Sequence, residues 1–255
     1  MPVSVPSDCI EPQDPDAVIC RFFTFKKFED LISSRELYFN RADLFPQDET
    51  EGIPTAAYHT RIFGRHPLDV RDRVDMNNDD ANTAQFREAF FISCWHLFDD
   101  EKPSIWKLYG KDGVAVFSRY SLLKKAIESH PNAFLAQVRY GDDHLSGWNI
   151  LRFIMTKRET FRDDREIRAL LWYPEELTTT NRRFDINTFP HDRPLPHFPS
   201  SAPRFKRWPV DLSQLVTQIL VSPYAAPGTI ATVETLAAGI ASVEPSYWSG
   251  SRFLP

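Results

Sequence analysis

The spacing of apolar residues changes twice near the N-terminus of this chain. Residues 17–25, AVICRFFTF, are almost continuously apolar and rich in aromatic and β-branched side chains, which predicts a strand. Apolar residues then recur at helical spacing in residues 25–36, FKKFEDLISSRE, and residues 36–40, ELYFN, return to strand character. This part of the chain is therefore predicted to form a strand, a helix and a second strand.

Strand and helix patterns continue to alternate along the rest of the chain. The further predicted strands are residues 89–98, 114–118, 134–140 and 165–173, and the predicted helices are residues 104–110, 121–130 and 147–161. From residue 211 onwards the pattern predicts a helix or turn, a strand, a helix and a terminal strand.

Two long polar segments interrupt this pattern. Residues 64–84 carry mixed charge and few apolar side chains, which fits either a solvated helix pair or a mobile excursion. Residues 174–209 contain seven prolines and little periodicity, so we expect a long irregular segment on the surface.

The mixed alternation predicts an α+β fold with a curved or split β-sheet flanked by helices, because a doubly wound fold would alternate strand and helix regularly. A chain of 255 residues with 42% hydrophobic content can bury one sizeable core. We therefore expect an extended N-terminal lead-in over residues 1–17 and a single domain over residues 18–255.

Composition excludes several classes of protein. The three cysteines, Cys9, Cys20 and Cys94, show no CxxC spacing, so neither a disulfide framework nor a metal site is expected. No signal segment and no run of 18 apolar residues occurs, which predicts a soluble cytoplasmic protein with no membrane partner. The formal net charge of −5 argues against sequence-independent binding to nucleic acid, although it leaves room for a local basic groove.

Common catalytic motifs are missing from the sequence. It contains no GxGxxG after a strand, no GxxxxGK[ST] and no GxSxG, so Rossmann, P-loop and nucleophile-elbow enzymes are not indicated. Cys94 near His96 is best interpreted as a strand cysteine beside an exposed or half-buried histidine. Asp142 and Asp143 with Glu166 would suit a metal-dependent nuclease, but the expected lysine is missing, so this class is a minor alternative.

Charged residues embedded in apolar strands are the strongest chemical signal. Arg21 lies within the first strand, and Glu166 and Arg168 lie within REIRALLW. An unpaired charge on the inner face of a strand costs several kcal/mol, so such residues face solvent, pair with each other or share a ligand site. We expect Arg21 and Glu166 to lie on neighbouring strands and converge on one cleft. The competing interpretation is that Glu166 and Arg168, two residues apart, form an ordinary ion pair on one face.

Aromatic residues offer candidate stacking surfaces, although most rings in strands and helices belong to the core. Tyr38, Trp106 and Tyr109 lie at the end of a strand or on the short predicted helix, where a ring can reach a pocket.

The order of these segments resembles the bacterial family called domain of unknown function 2971, over roughly residues 18–250. The resemblance rests on the Arg-containing first strand, LYFNRADLFPQDETEG, FFISCWH, SIWKLYGKDGVAVFS, VRYGD, FRDDREIRALLW and DLSQLVTQILVSPYA. Ile105, Trp106 and Tyr109 match the family's aromatic helix, and Glu166 and Arg168 match its Glu-x-Glu-x-Arg strand. Asp164 replaces the first glutamate of that strand, and PQDETEG at residues 46–52 replaces an Asn-Asp-Pro loop.

This layout is also similar to that of ADP-ribosyltransferase-like folds, which bind NAD in a cleft between two small sheets. The resemblance implies that Arg21 binds the phosphates and that Tyr38, Trp106 or Tyr109 stacks on the nicotinamide. It implies that Ser93 orients the ribose and that Glu166 stabilises the oxocarbenium ion.

The implied function is an NAD-dependent ADP-ribosyltransferase that acts as a bacterial toxin or phage-defence effector, with NAD as a substrate. The acceptor, whether a protein, a nucleic acid or a small molecule, and the oligomeric state stay open. The alternative is a noncatalytic module that senses a ligand or binds a partner.

Overall fold

The protein is a mixed α+β structure with a large, mostly antiparallel open sheet. The computed structural model describes residues 9–45, 52–141, 145–147, 149–178 and 202–249, apart from the side chains of residues 81, 82, 84, 177 and 178. The strands are β1 (Val18–Phe23), β2 (Glu36–Arg41), β3 (Phe90–Leu97), β4 (Val114–Arg119), β5 (Ala133–Gln137), β6 (Arg139–Tyr140), β7 (Thr156–Lys157), β8 (Glu166–Trp172), β9 (Phe205–Pro209), β10 (Gln218–Val221) and β11 (Ser242–Pro245).

Helices flank the sheet. They are α1 (Phe25–Ser34), α2 (Ala56–Phe63), α3 (Val70–Phe86), α4 (Pro103–Tyr109), α5 (Tyr120–Ile127), α6 (Ile150–Ile154), α7 (Leu212–Leu215) and α8 (Thr229–Leu236), with 3-10 turns at Arg87–Ala89, Glu159–Asp164 and Pro174–Thr178. Local sequence sets several of their ends. Pro103 occupies the first turn of α4, where its missing N–H costs nothing, and Asp69 caps α3 by accepting from the N–H groups of Arg71 and Asp72.

The main sheet splits along one edge of β3. Its order is β11-β10-β4-β1-β3-β2-β9, while β8 pairs with β3 and β5. Because β8 covers one edge of β3 along its length, β1 and β2 share the other edge. β1 pairs with His96 and Leu97, whereas β2 pairs with Phe91 and Ile92. The two strands therefore part over the middle of β3 and leave a gap between them.

Both faces of the sheet are covered. The larger core lies on the face that carries Ile19, Phe23 and Trp95, and it is closed by apolar residues of α1, α5, α7 and α8. On the opposite face, Ile92 and Leu170 pack against α6, and Cys20 and its neighbours pack against Trp106 of α4. Side chains alternate between faces along a strand, so the position of each polar residue decides which layer it enters.

Close packing between β1 and β4 explains one glycine. A Cβ atom at Gly113 would lie 1.8 Å from the carbonyl oxygen of Phe23, which no other residue type tolerates. Gly113 therefore lets β4 begin directly beside the end of β1.

Most predicted elements agree with the structure. Confirmed are the strand, helix and strand over residues 18–41, the strands β3, β4 and β8, the helices α4 and α5, and the C-terminal order of helix, strand, helix and strand. The predicted strand at 134–140 is present but divides into β5 and β6 at Val138. Within residues 64–84, the structure has neither a helix pair nor an excursion, because most of this polar segment belongs to the single helix α3.

Two predictions were wrong. The helix expected at residues 147–161 is only the short α6, because the chain then pairs as β7 with the distant β6, while Thr156 Oγ1 donates to the carbonyl of Arg152. The end of the expected irregular segment forms β9, which pairs along β2 and extends the sheet. Residues 179–201 of that segment lie outside the described residues.

The described part of the N-terminal lead-in packs onto the domain. Ile10 forms a bridge with Gln137, and Glu11 accepts hydrogen bonds from Lys124 and Tyr120. Residues 1–8 lie outside the described part. No helix among the described residues combines the length and the apolar character needed to cross a membrane.

Candidate functional site

A cleft of about 700 Å³ opens at the gap between β1 and β2. It runs from the first turns of α1 to the start of β8. Its polar and charged lining residues are Arg21, Thr24, Lys27, Asp30, Glu36, Tyr38, Asn40, Cys94, His96, Tyr109, Lys157, Asp164, Glu166, Arg168 and Arg207. Its size suits a mononucleotide or a larger ligand.

Arg21 lies in the gap between the two strands. Its Nη1 donates to the carbonyl oxygen of Tyr38 at 3.2 Å and to Ser93 Oγ at 2.5 Å, and its guanidinium lies 5.0 Å from the centre of the Phe23 ring. None of the described carboxylates forms an ion pair with it. Burial lowers the pKa of Arg21, but an arginine remains protonated at neutral pH. Arg21 is therefore a half-buried cation whose hydrogen-bond partners are neutral.

Lys27 of α1 is the second cation at this end of the cleft. It is exposed and, within the described part of the chain, forms no ion pair. Arg207 of β9 differs because it is paired with Asp30 at 2.9 Å and with Glu36 at 3.8 Å. Arg21 and Lys27 therefore leave a local excess of positive charge where the cleft meets α1.

A buried ion pair lines the cleft at the start of β8. Arg168 Nε donates to Glu166 Oε1 at 2.6 Å and Nη2 donates to Oε2 at 3.1 Å, and both side chains are at most 3% exposed. Lys157 Nζ lies 3.1 Å from Glu166 Oε2. Burial would raise the pKa of Glu166, but the charges and hydrogen bonds of Arg168 and Lys157 outweigh it and hold this pKa well below its usual range. Glu166 is therefore ionised at neutral pH.

Asp164 and two tyrosines surround this pair. Lys157 Nζ donates to Asp164 Oδ2 at 2.9 Å, and the Tyr109 hydroxyl donates to Oδ1 at 3.3 Å. Burial and, secondly, the Asp164 charge raise the pKa of Tyr109 to about 12. Tyr140 receives a hydrogen bond at its hydroxyl oxygen from the backbone N–H of Glu166 at 2.8 Å. Tyr109 is consequently a neutral hydroxyl group that faces the cleft.

The expected placement of Arg21 and Glu166 needs correction. β1 and β8 are not neighbours, because β3 lies between them. Alternation also places Arg21 on the face of Ile19 and Phe23, whereas Glu166 is on the opposite face with Leu170. Both residues nevertheless line the same cleft, because the gap between β1 and β2 joins the two faces.

Two expected ligand contacts are also corrected. Trp106 is fully buried, and its Nε1 donates to Glu101 Oε1 at 2.7 Å, so its ring belongs to the core rather than to the cleft. Ser93 is fully buried as well, and its Oγ accepts from Arg21 and from Trp95 Nε1. Ser93 therefore orients Arg21 rather than a ribose.

Tyr38 and Tyr109 do line the cleft, on opposite sides of the gap. The Tyr38 ring stacks on Phe205 of β9 with centroids 5.0 Å apart, and Tyr109 lies against the His96 ring with centroids 5.1 Å apart. Either ring is placed to contact a planar ligand group.

Two residues that line the cleft, Lys157 and His96, were not predicted from the sequence as site residues. Lys157 lies in the segment predicted as a helix, and no local sequence pattern indicates that it contacts Glu166. His96 is the register partner of Glu166 across β3 and β8, a pairing that only the assembled sheet reveals.

Lys157 supplies the lysine that the nuclease alternative needed beside Glu166. Asp142 and Asp143 lie outside the described residues, and within those residues no three histidine, cysteine, aspartate or glutamate side chains form a group that can hold a metal ion.

A scan against family models and searches of curated proteins and of solved structures found no match to this chain.

Proposed function

We propose that the cleft binds NAD and that the protein is an ADP-ribosyltransferase-like enzyme that cleaves the bond between ribose and nicotinamide. The observation that carries this proposal is the position of Arg21, a half-buried guanidinium whose hydrogen-bond partners among the described residues are neutral, in a cleft of about 700 Å³ that is also lined by the ionised carboxylate of Glu166. This arrangement offers positive charge to the diphosphate and negative charge to the reacting ribose.

Arg21 is suited to the diphosphate. Its Nη1 is held by Tyr38 and Ser93, so the rest of the guanidinium can donate to a ligand without losing its orientation. A bound anion would supply the counter-charge that Arg21 does not receive from any described carboxylate. Lys27, in the first turn of α1, adds a second positive charge to the lining of the cleft.

The carboxylates of Glu166 and Asp164 in the same cleft suit the reacting ribose. When nicotinamide leaves, positive charge develops at C1′, and a fixed negative charge nearby lowers the barrier. Glu166 is kept ionised and is held in one orientation by Arg168. Tyr109 supplies a neutral ring and hydroxyl group beside it, which can contact the nicotinamide.

Arg21→Gln is expected to weaken NAD binding by about tenfold to a hundredfold, because hydrogen bonds to a charged group contribute about 1.5–3 kcal/mol. Arg21→Lys keeps the charge but loses the planar fork, so we expect an intermediate dissociation constant. Isothermal titration calorimetry of the full chain with NAD measures both, after circular dichroism has shown that each variant is folded.

Arg71→Gln, an exposed arginine at the start of α3, is the matched control and should change NAD affinity less than threefold. Wild-type protein that does not bind NAD, or Arg21→Gln protein that binds it as tightly as wild type, contradicts the proposal.

A noncatalytic ligand-sensing module is the second candidate, and one observation favours it. The Glu166 carboxylate already accepts hydrogen bonds from Arg168 and Lys157, as a purely structural residue would. Under this alternative NAD binds and Arg21→Gln weakens its binding, but no nicotinamide is released over hours of incubation.

A further inference from the structure

His96 is placed in the cleft beside both carboxylates. It lies directly across from Glu166 in the pairing of β3 and β8, and its ring lies between Phe22 and Tyr109, with centroids 5.7 Å and 5.1 Å away. It also borders a smaller cavity of about 30 Å³, which is large enough for one water molecule.

One nitrogen of the ring is fixed by the backbone. His96 Nδ1 lies 2.8 Å from the carbonyl oxygen of Asp164. A carbonyl oxygen can only accept a hydrogen bond, so Nδ1 carries the proton. In the neutral ring this leaves the lone pair on Nε2, and no described residue forms a hydrogen bond with that atom.

A half-buried imidazole that lines the cleft and is held by its Nδ1–H, with no described partner at Nε2, is the arrangement of a general base. The other basic groups near Glu166 cannot take this role as placed. Asp164 is occupied by Lys157 and Tyr109, and the raised pKa of Tyr109 keeps its hydroxyl protonated.

We propose that His96 is the general base of this cleft and accepts the proton of the group that attacks the ribose; this inference rests on the proposed function. The bond between C1′ and the nicotinamide nitrogen breaks, and its electron pair stays on nicotinamide, which leaves as a neutral molecule. A lone pair of the acceptor oxygen, from a hydroxyl group or from water, forms the new bond to C1′. The proton of that oxygen passes to His96 Nε2 and is later released to solvent.

Two variants separate this role from a structural one. His96→Ala removes the ring, whereas His96→Asn keeps an N–H group that can reach the Asp164 carbonyl but has no basic nitrogen. We expect both variants to lower the rate of nicotinamide release from NAD by about a hundredfold or more, with a dissociation constant for NAD within about threefold of wild type. Added imidazole should restore part of the rate of His96→Ala. His66→Ala, an exposed histidine between α2 and α3, is the control and should match wild type.

The outcomes are distinguishable. A rate within threefold of wild type in either His96 variant, or a His96→Ala rate that imidazole leaves unchanged, overturns the role of His96 while the proposed function stands. Wild-type protein that releases no nicotinamide overturns the proposed function and this role together.

Discussion

Arg168→Met is expected to lower the free energy of unfolding by about 3–5 kcal/mol, the largest change in stability expected from a single substitution in the cleft. Arg168 is 1% exposed and forms two hydrogen bonds with Glu166, and its Nη1 donates to the carbonyl oxygen of Ile154. Methionine fills similar space but leaves the Glu166 carboxylate buried with Lys157 as its remaining basic partner. Urea denaturation followed by circular dichroism measures the difference.

Two controls define the cause. The double variant Glu166→Leu with Arg168→Met removes both charges, so we expect it to recover most of the lost stability. Arg162→Met breaks an ion pair with Glu159 whose side chains are 62% and 60% exposed, and it should leave the urea midpoint nearly unchanged. A double variant as unstable as Arg168→Met would show that shape, rather than the uncompensated charge, determines the loss.

The same pair makes stability depend on pH. The pKa of Glu166 is lower in the folded protein than in the unfolded chain, where it is about 4.3. The unfolded state therefore binds the proton first as the pH falls. The stabilisation by Glu166 is complete above the unfolded pKa and is lost progressively as the pH falls below it towards the folded value. The double variant should lack this part of the acid dependence.

Strands that are continuous in sequence were predictable, whereas their partners were not. AVICRFFTF and REIRALLW are apolar strand patterns that contain charged residues, so the sequence alone identifies Arg21 and Glu166 as candidate site residues. The position of Arg21 relative to Glu166 depends on β3, which lies about 70 residues from each of them in sequence and separates their strands in the sheet. Strand pairing at such separations is set by tertiary packing, which local periodicity does not encode.

The residues whose roles changed illustrate the same limit. Trp106 carries the aromatic spacing of a pocket residue, but the Glu101 carboxylate satisfies its indole N–H and allows full burial. The sequence shows Ser93 only as a serine within a predicted strand, and only the structure shows that its Oγ accepts a hydrogen bond from Arg21 of β1. Lys157 contacts Glu166 because α6 ends early and the chain turns into β7, which pairs with a strand 16 or more residues before it.

Glu166→Gln is expected to lower the rate of nicotinamide release from NAD by about a hundredfold or more, an increase of about 3 kcal/mol in the activation barrier. Glutamine keeps the volume and removes the negative charge that would stabilise the oxocarbenium ion. The substitution also weakens the pair with Arg168, because the amide group presents a donor towards Arg168 or Lys157. Rates must therefore be compared at a temperature at which both proteins are fully folded.

The division of the effect between rate and binding identifies the role of Glu166. A catalytic carboxylate acts on the transition state, so kcat should fall while the dissociation constant for NAD changes less than about threefold. Glu159→Gln, on the exposed 3-10 turn before β8, is the matched control and should keep the wild-type rate. If Glu166→Gln instead lowers the melting temperature sharply while each folded molecule retains its rate, Glu166 serves only as the buried partner of Arg168. Asp164, which lies beside Glu166 in the same cleft, would then be the next carboxylate to test, with Asp164→Asn and the same measurement.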